Sequence, residues 1–140
     1  MFFYQPILKG EMKKILLVED DSLTSESYLD QLANENFEIA FVRTGEEALQ
    51  ELVSFKPDLM LLDIMLAGKM NGFDVLEQMR QNLEIKQTPV IVMTNLDGQD
   101  KTAAEYNAVA CYVKVKTDFT TIRQKIYEIL GITGGQDTSN

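Results

Sequence analysis

The chain has 140 residues, about the length of one domain, and 45% of them are hydrophobic, so it can bury a core. Its 13 lysines and arginines against 22 aspartates and glutamates give a net charge of −9, which argues against a surface that grips nucleic acid or an anionic membrane. The absence of histidine and the single cysteine, Cys111, exclude histidine- and cysteine-based metal sites, an internal disulfide and Ser-His catalysis. No apolar run is long enough to span a membrane and no secretion signal is visible, so we expect a soluble cytoplasmic protein.

The two ends of the chain differ in composition from its centre. We interpret residues 1–11 as an N-terminal extension or a cloning remnant, because this segment is apolar and aromatic and precedes a second methionine, Met12. The alternative is a short arm that docks on a partner or a second copy through Phe2, Phe3 and Tyr4. Residues 132–140 are rich in small polar residues and are expected to form a flexible C-terminal tail, which leaves 12–131 as the folded domain.

Between the two ends, apolar runs typical of strands alternate with segments of helical periodicity. The predicted strands are ILLV (15–18), FEIAFV (37–42), LMLL (59–62), VIVM (90–93) and the segment 110–115. The predicted helices cover 22–34, the segment after the capping box that starts at Thr44, 72–83, a weaker stretch up to about 108, and the segment after the N-cap Asp118. Strict alternation of strands and helices predicts an α/β protein with a parallel sheet between two layers of helices.

Polar residues follow four of the predicted strands. Since the carboxyl ends of parallel strands lie at one edge of the sheet, these side chains should converge: Glu19, Asp20, Asp21, Asp63, Thr94, Asn95 and Lys116. Carboxylates that lie together repel unless a cation joins them, and oxygen-only ligands favour Mg²⁺, which also binds phosphate. Each residue alone is better explained as a helix cap, a turn residue or a solvated charge, so the prediction depends on their combination.

The chain resembles the receiver domain of two-component response regulators, the CheY-like superfamily, over roughly residues 12–130. The motifs that carry the resemblance are KILLVEDD (14–21), PDLMLLDIML (57–66), NGFDVL (71–76), PVIVMT (89–94) and KTDF (116–119). The resemblance implies a flavodoxin-like, doubly wound sheet of five parallel strands in the order 2-1-3-4-5, with five helices in three α/β/α layers. It also makes 12–131 a receiver domain.

The resemblance further implies a role for each matching residue. Asp63 would accept a phosphoryl group from a sensor histidine kinase or a phosphotransfer protein. Mg²⁺ would be held by Glu19 and Asp20, by Asp63 and by the backbone carbonyl of Met65. Thr94 and Lys116 would bind the phosphoryl group. The interval 116 − 94 = 22 fits the family and favours Lys116 over Lys114.

Several positions depart from the family pattern, and they concern how the signal is read. Val113 stands three residues before Lys116, where the family often has an aromatic switch residue, so Tyr112 would replace that residue or this form of coupling would be absent. Thr117 replaces the usual proline after the lysine, which argues against a cis peptide bond there. Asn95 replaces a small residue after Thr94 and could narrow access for phosphate.

These observations predict a phosphorylation-dependent switch that catalyses its own phosphoryl transfer and is no conventional enzyme. Few residues follow the last helix, so we expect a stand-alone receiver whose output is contact with a downstream protein, with homodimerisation possible. The alternative is a receiver-like binding module that is never phosphorylated. A third alternative, a Mg²⁺-dependent phosphatase, is disfavoured, because the general acid that such an enzyme needs would stand at position 65, which holds methionine. Because Met65 and Leu96 are apolar and cannot orient an attacking water, we also predict slow autodephosphorylation.

Overall fold

The computed structural model describes residues 12–132. The predicted extension 1–11, including its aromatic residues, and all but the first residue of the predicted tail lie outside the described residues. Within this range no helix is both long and apolar enough to cross a bilayer.

Strands and helices alternate along the whole described range, as the periodicity predicts. In chain order they are β1 (Lys13–Val18), α1 (Ser22–Ala33), β2 (Phe37–Val42), α2 (Gly45–Ser54), β3 (Leu59–Leu62), α3 (Gly72–Arg80), β4 (Val90–Thr94), α4 (Asp100–Glu105), β5 (Ala110–Val113) and α5 (Phe119–Leu130). A 3-10 turn, Lys114–Lys116, follows β5 directly.

The five strands form one parallel sheet in the order β2-β1-β3-β4-β5, which confirms the predicted fold class and strand order. The chain moves outward from β1 to β2 on one side and then to β3 on the other. The direction of winding therefore reverses between β1 and β3, and a crevice opens there at the carboxyl edge. This crevice is where the residues that follow β1 and β3 meet.

The core consists of two apolar layers, one on each face of the sheet. Alternate strand residues such as Leu16 and Leu62 pack with α2, α3 and α4, whereas Leu17 and Leu61 pack with α1 and α5. Both faces of the central strands are fully buried, which is why these strands read as unbroken apolar runs. The sheet is thus a rigid support for the polar residues at its edge.

Three predicted C-terminal ends of elements are wrong by two residues or more. Helix α4 ends at Glu105 and not at about residue 108. The last strand ends at Val113 and not at residue 115, because the chain turns into the 3-10 turn. Helix α3 ends at Arg80, and Leu83, which was predicted to lie on its apolar face, is 82% exposed. The Arg80 guanidinium donates to the carbonyls of Thr88 and Tyr106, so its side chain fastens the loop before β4 to the residue that ends α4.

Helix α3 begins in direct contact with the backbone that follows β3. The Gly72 amide donates to the Ile64 carbonyl at 2.8 Å. A Cβ atom at position 72 would lie 2.5 Å from the Asp63 carbonyl oxygen and 2.7 Å from the Ile64 Cα. Both are backbone atoms that cannot rotate away, so the close approach requires glycine.

We therefore expect Gly72→Ala to lower the free energy of unfolding by about 1–3 kcal/mol, the usual cost of overpacking. The measurement is urea denaturation followed by circular dichroism. Gln78→Ala is the matched control, since Gln78 is exposed on the same helix and should change stability by less than about 0.5 kcal/mol. Equal midpoints for the two variants would contradict the tight contact.

Candidate functional site

Three carboxylates meet in the crevice between β1 and β3. Glu19 and Asp20 follow β1, Asp63 follows β3, and one carboxylate oxygen from each lies within 4.8 Å of the others. The ladder of backbone hydrogen bonds continues past the strands, because the Glu19 amide donates to Val42 and the Asp63 amide donates to Val18, each at 3.1 Å. The sheet itself therefore positions this acidic cluster of Glu19, Asp20 and Asp63.

The acidic cluster is largely withdrawn from water. Glu19 and Asp63 are buried, while Asp20 lies at the half-exposed rim. Burial raises the pKa of Glu19 to about 7; a hydrogen bond from Lys114 opposes this shift, and the neighbouring charge of Asp63 adds to it. Oxygen ligands arranged in this way fit a hard divalent cation such as Mg²⁺.

The loop after β3 holds two of these carboxylates through its backbone. The Met65 amide donates to Asp63 Oδ1 at 3.1 Å, and the Ala67 amide donates to Asp20 Oδ2 at 2.8 Å. One oxygen of each side chain is thereby held in place by an N–H group. The role of the Met65 carbonyl as a metal ligand, which the family resemblance implies, stays a prediction.

The lysine in the crevice is Lys114. Its Nζ atom lies 2.8 Å from Glu19 Oε1 and 3.1 Å from Asp63 Oδ2, and its side chain is 9% exposed. Burial alone would lower the pKa of Lys114, but the hydrogen bond to Glu19 and the charges of both carboxylates outweigh it and raise the pKa. An ammonium group is thus held directly against Asp63.

This placement corrects the prediction that Lys116 is the lysine of the site. Lys116 Nζ instead contacts Asp97 Oδ2 at 2.9 Å, and its side chain is 66% exposed. Because β5 ends at Val113, the next residue reaches the sheet edge, and the 3-10 turn carries Lys116 onward. The sequence signal for Lys114 was its place directly after ACYV, the apolar run that forms β5. The interval counted from Thr94 pointed to Lys116 and was misleading.

Thr94 and Asn95 lie at the same edge, at the end of β4. Thr94 is completely buried, and its Oγ1 accepts a hydrogen bond from the Leu96 amide at 3.1 Å. Asn95 is exposed, and its Oδ1 accepts from the Val115 amide at 3.0 Å. The residues after β4 are therefore tied to the turn that follows β5.

The predicted readout residues fall on different faces of the sheet. Thr94 pairs with Val113, and Met93 pairs with Tyr112. Tyr112 packs in the layer of α1 and α5, whereas Thr94 has the strand parity of Val92, which packs in the opposite layer. Tyr112 is therefore poorly placed to replace the aromatic switch residue beside Thr94.

The expectation for Thr117 agrees with the structure. No peptide bond among the described residues is cis. The Thr117 hydroxyl donates to the Val113 carbonyl at 2.8 Å and closes the turn around Lys114. A side-chain hydrogen bond thus helps to hold a turn that contains no proline.

The sequence and the fold both resemble those of known proteins. Residues 15–127 match the family model described as the response regulator receiver domain. The response regulator ArlR of Staphylococcus saprophyticus is 36% identical over 105 residues, which cover 74% of this chain and 46% of that protein. The transcriptional regulatory protein CpxR of Escherichia coli is 42% identical over 83 residues, which cover 59% of this chain and 34% of that protein. The chain thus spans less than half the length of these relatives.

The solved structures that resemble this fold include a response regulator and the receiver domain of another protein. The response regulator TrrA of Thermotoga maritima, in complex with Mg²⁺-BeF, has a TM-score of 0.75 at 29% identity and covers 84% of this chain and 99% of that chain. The BeF3-activated receiver domain of Klebsiella pneumoniae RstA has a TM-score of 0.72 at 26% identity and covers 84% of this chain and 98% of that chain.

We expect Lys114→Met to lower the free energy of unfolding by about 3 kcal/mol at pH 8, because two carboxylates lose their buried cation. The pKa of Glu19 is raised from 4.5 to about 7, so its proton stabilises the fold below pH 4.5 and this contribution disappears as the pH rises to about 7. At pH 5 Glu19 is mostly protonated and has less need of a cation. The loss of stability in Lys114→Met should therefore be smaller at pH 5 than at pH 8.

Denaturation in the presence of a metal chelator measures both values. Lys116→Met is the matched control and should change stability by no more than about 0.5 kcal/mol, since the exposed pair it breaks is screened by water. Equal losses for the two variants at pH 8 would contradict the placement of Lys114.

Proposed function

The chain belongs to the response regulator receiver domain family, and from this premise we propose that it is a phosphorylation-dependent switch of a two-component system in which Asp63 accepts the phosphoryl group. The observation that carries the proposal is the contact of the Lys114 ammonium with Asp63 at 3.1 Å, beside the carboxylates of Glu19 and Asp20. In this proposal Asp63 is the nucleophile, Lys114 is the cation beside it, and Glu19 and Asp20 are ligands of a metal.

We propose Mg²⁺ as the metal of the site. Glu19, Asp20 and Asp63 supply oxygen atoms close together, and buried carboxylates in such a group need more positive charge than one lysine provides. We assign Asp20 as the direct ligand, Glu19 as a ligand through water, and the Met65 carbonyl as a further ligand. When bound, the metal would neutralise charge on the phosphoryl oxygens and on Asp63.

The residues of this chain would act as follows. A carboxylate oxygen of Asp63 attacks the phosphorus of a phosphohistidine on a partner; the new O–P bond forms as the P–N bond breaks, and the imidazole leaves with the electron pair. Lys114 pairs with a phosphoryl oxygen, and the Thr94 hydroxyl donates to another. Little else is required, because phosphoryl transfer depends mainly on positioning and charge.

The partner that donates the phosphoryl group would be a sensor histidine kinase or a phosphotransfer protein in the cytoplasm. We propose a protein contact as the output, with a downstream target or a second copy. The relatives named above are longer than this chain, and the proposal concerns the receiver domain alone.

The test is incubation with phosphoramidate and Mg²⁺, followed by intact-mass spectrometry. We expect one phosphate adduct on the wild-type protein, none on Asp63→Ala, and none when Mg²⁺ is chelated. Lys114→Ala should slow adduct formation by about 100-fold, the usual effect of losing a group that stabilises charge in the transition state.

Lys116→Ala is the matched control and should react at the wild-type rate, because its side chain contacts Asp97 outside the crevice. A folded wild-type protein that gains no phosphate would refute the proposal and favour the alternative, a receiver-like binding module that is never phosphorylated.

The lifetime of the phosphorylated state is a separate prediction. Met65 is 54% exposed and Leu96 is 40% exposed, and neither side chain can orient an attacking water. We expect slow loss of phosphate from the wild type and about 10-fold faster loss from the double variant Met65→Asn, Leu96→Glu. The decay of the adduct after removal of the phosphodonor measures both rates. An unchanged or slower decay in the double variant would count against this explanation.

A further inference from the structure

Apart from Lys114 itself, the turn Lys114–Lys116 is not held by packing of its own side chains. Val115, in its centre, is 77% exposed, and the Lys116 side chain is 66% exposed. The Lys116–Asp97 ion pair lies in solvent, where such pairs contribute little. Besides the two ion pairs of its own side chain, the position of Lys114 therefore depends on polar contacts of the backbone.

Two side chains make these contacts. Asn95 Oδ1 accepts from the Val115 amide at 3.0 Å, across from the end of β4. The Thr117 hydroxyl donates to the Val113 carbonyl at 2.8 Å, across the turn itself. The amide that follows Lys114 and the carbonyl that precedes it are thus both fixed.

We propose that Asn95 and Thr117 are positioning residues that hold the turn so that the Lys114 ammonium reaches Asp63. This inference rests on the proposed function, since it assigns residues that prepare the site for phosphoryl transfer. A lysine side chain loses considerable rotamer freedom when its amine is fixed, so a backbone that is already held reduces the remaining cost. Asn95, which sequence comparison suggested as an obstacle to phosphate, acts here as a support.

Two pairs of variants test the proposal. Asn95→Ala removes the acceptor and Asn95→Asp keeps it; Thr117→Val removes the hydroxyl and Thr117→Ser keeps it. Two readouts apply to each: the rate of adduct formation with phosphoramidate and Mg²⁺, and the rate at which an acetylating reagent modifies the Lys114 amine, followed by peptide mass spectrometry. Lys116 is the internal reference, because its side chain is already 66% exposed in the wild-type protein.

We expect Asn95→Ala and Thr117→Val each to slow adduct formation by about 3- to 10-fold, the factor that corresponds to one hydrogen bond. Each should also speed acetylation of Lys114 relative to Lys116 by a similar factor. Asn95→Asp and Thr117→Ser should return the acetylation ratio of Lys114 to within about twofold of the wild type, because each restores its hydrogen bond.

Unchanged acetylation of Lys114 in both Asn95→Ala and Thr117→Val would overturn the proposal, and so would a failure of both conservative variants to restore protection. Thermal denaturation of every variant shows whether a change reflects general unfolding, in which case reference amines elsewhere in the chain would react faster too. If the wild-type protein takes up no phosphate, the proposed function fails, and the acetylation ratios alone still decide whether these residues position Lys114.

Discussion

The contact of the Lys114 ammonium with the carboxylates of Glu19 and Asp63 is the interaction on which the edge of the sheet depends. Removing two carboxylates from water is costly, and one lysine offsets only part of their charge. The cluster therefore keeps a negative balance, which Asp20 at the rim increases. A site of this kind attracts a divalent cation because its own groups are not neutral.

The rest of the fold explains how this cluster is held. The strands that precede the three carboxylates, β1 and β3, are each fixed by neighbours on both sides and by an apolar layer on each face. Helix α3 starts at Gly72 against the Asp63 carbonyl, so the backbone after β3 has little room to relax. A rigid support keeps the carboxylates together in spite of their repulsion, and the interior of the sheet thus contributes to the chemistry at its edge.

The fold and the acidic cluster could be predicted from the sequence, because buried parallel strands are continuous apolar runs and the residues that end them share one edge. The lysine could not be predicted by counting from Thr94, since the interval depends on the length of the segment between two strands. Which lysine reaches the crevice is decided where β5 ends, at Val113, and strand ends are hard to place within two residues. The contact of Asn95 with Val115 joins two loops, and no local pattern indicates it.

The structure also limits how a change at Asp63 can spread. Thr94 Oγ1 accepts from the Leu96 amide, and Asn95, between them, holds the turn that carries Lys114. Thr94 and Lys114 are therefore joined through the loop after β4 and the hydrogen bond from the Val115 amide to Asn95. Tyr112 lies in the opposite layer of the core, outside this connection. The connection between Thr94 and Lys114 thus runs through these two loops, and the aromatic ring of Tyr112 is not part of it.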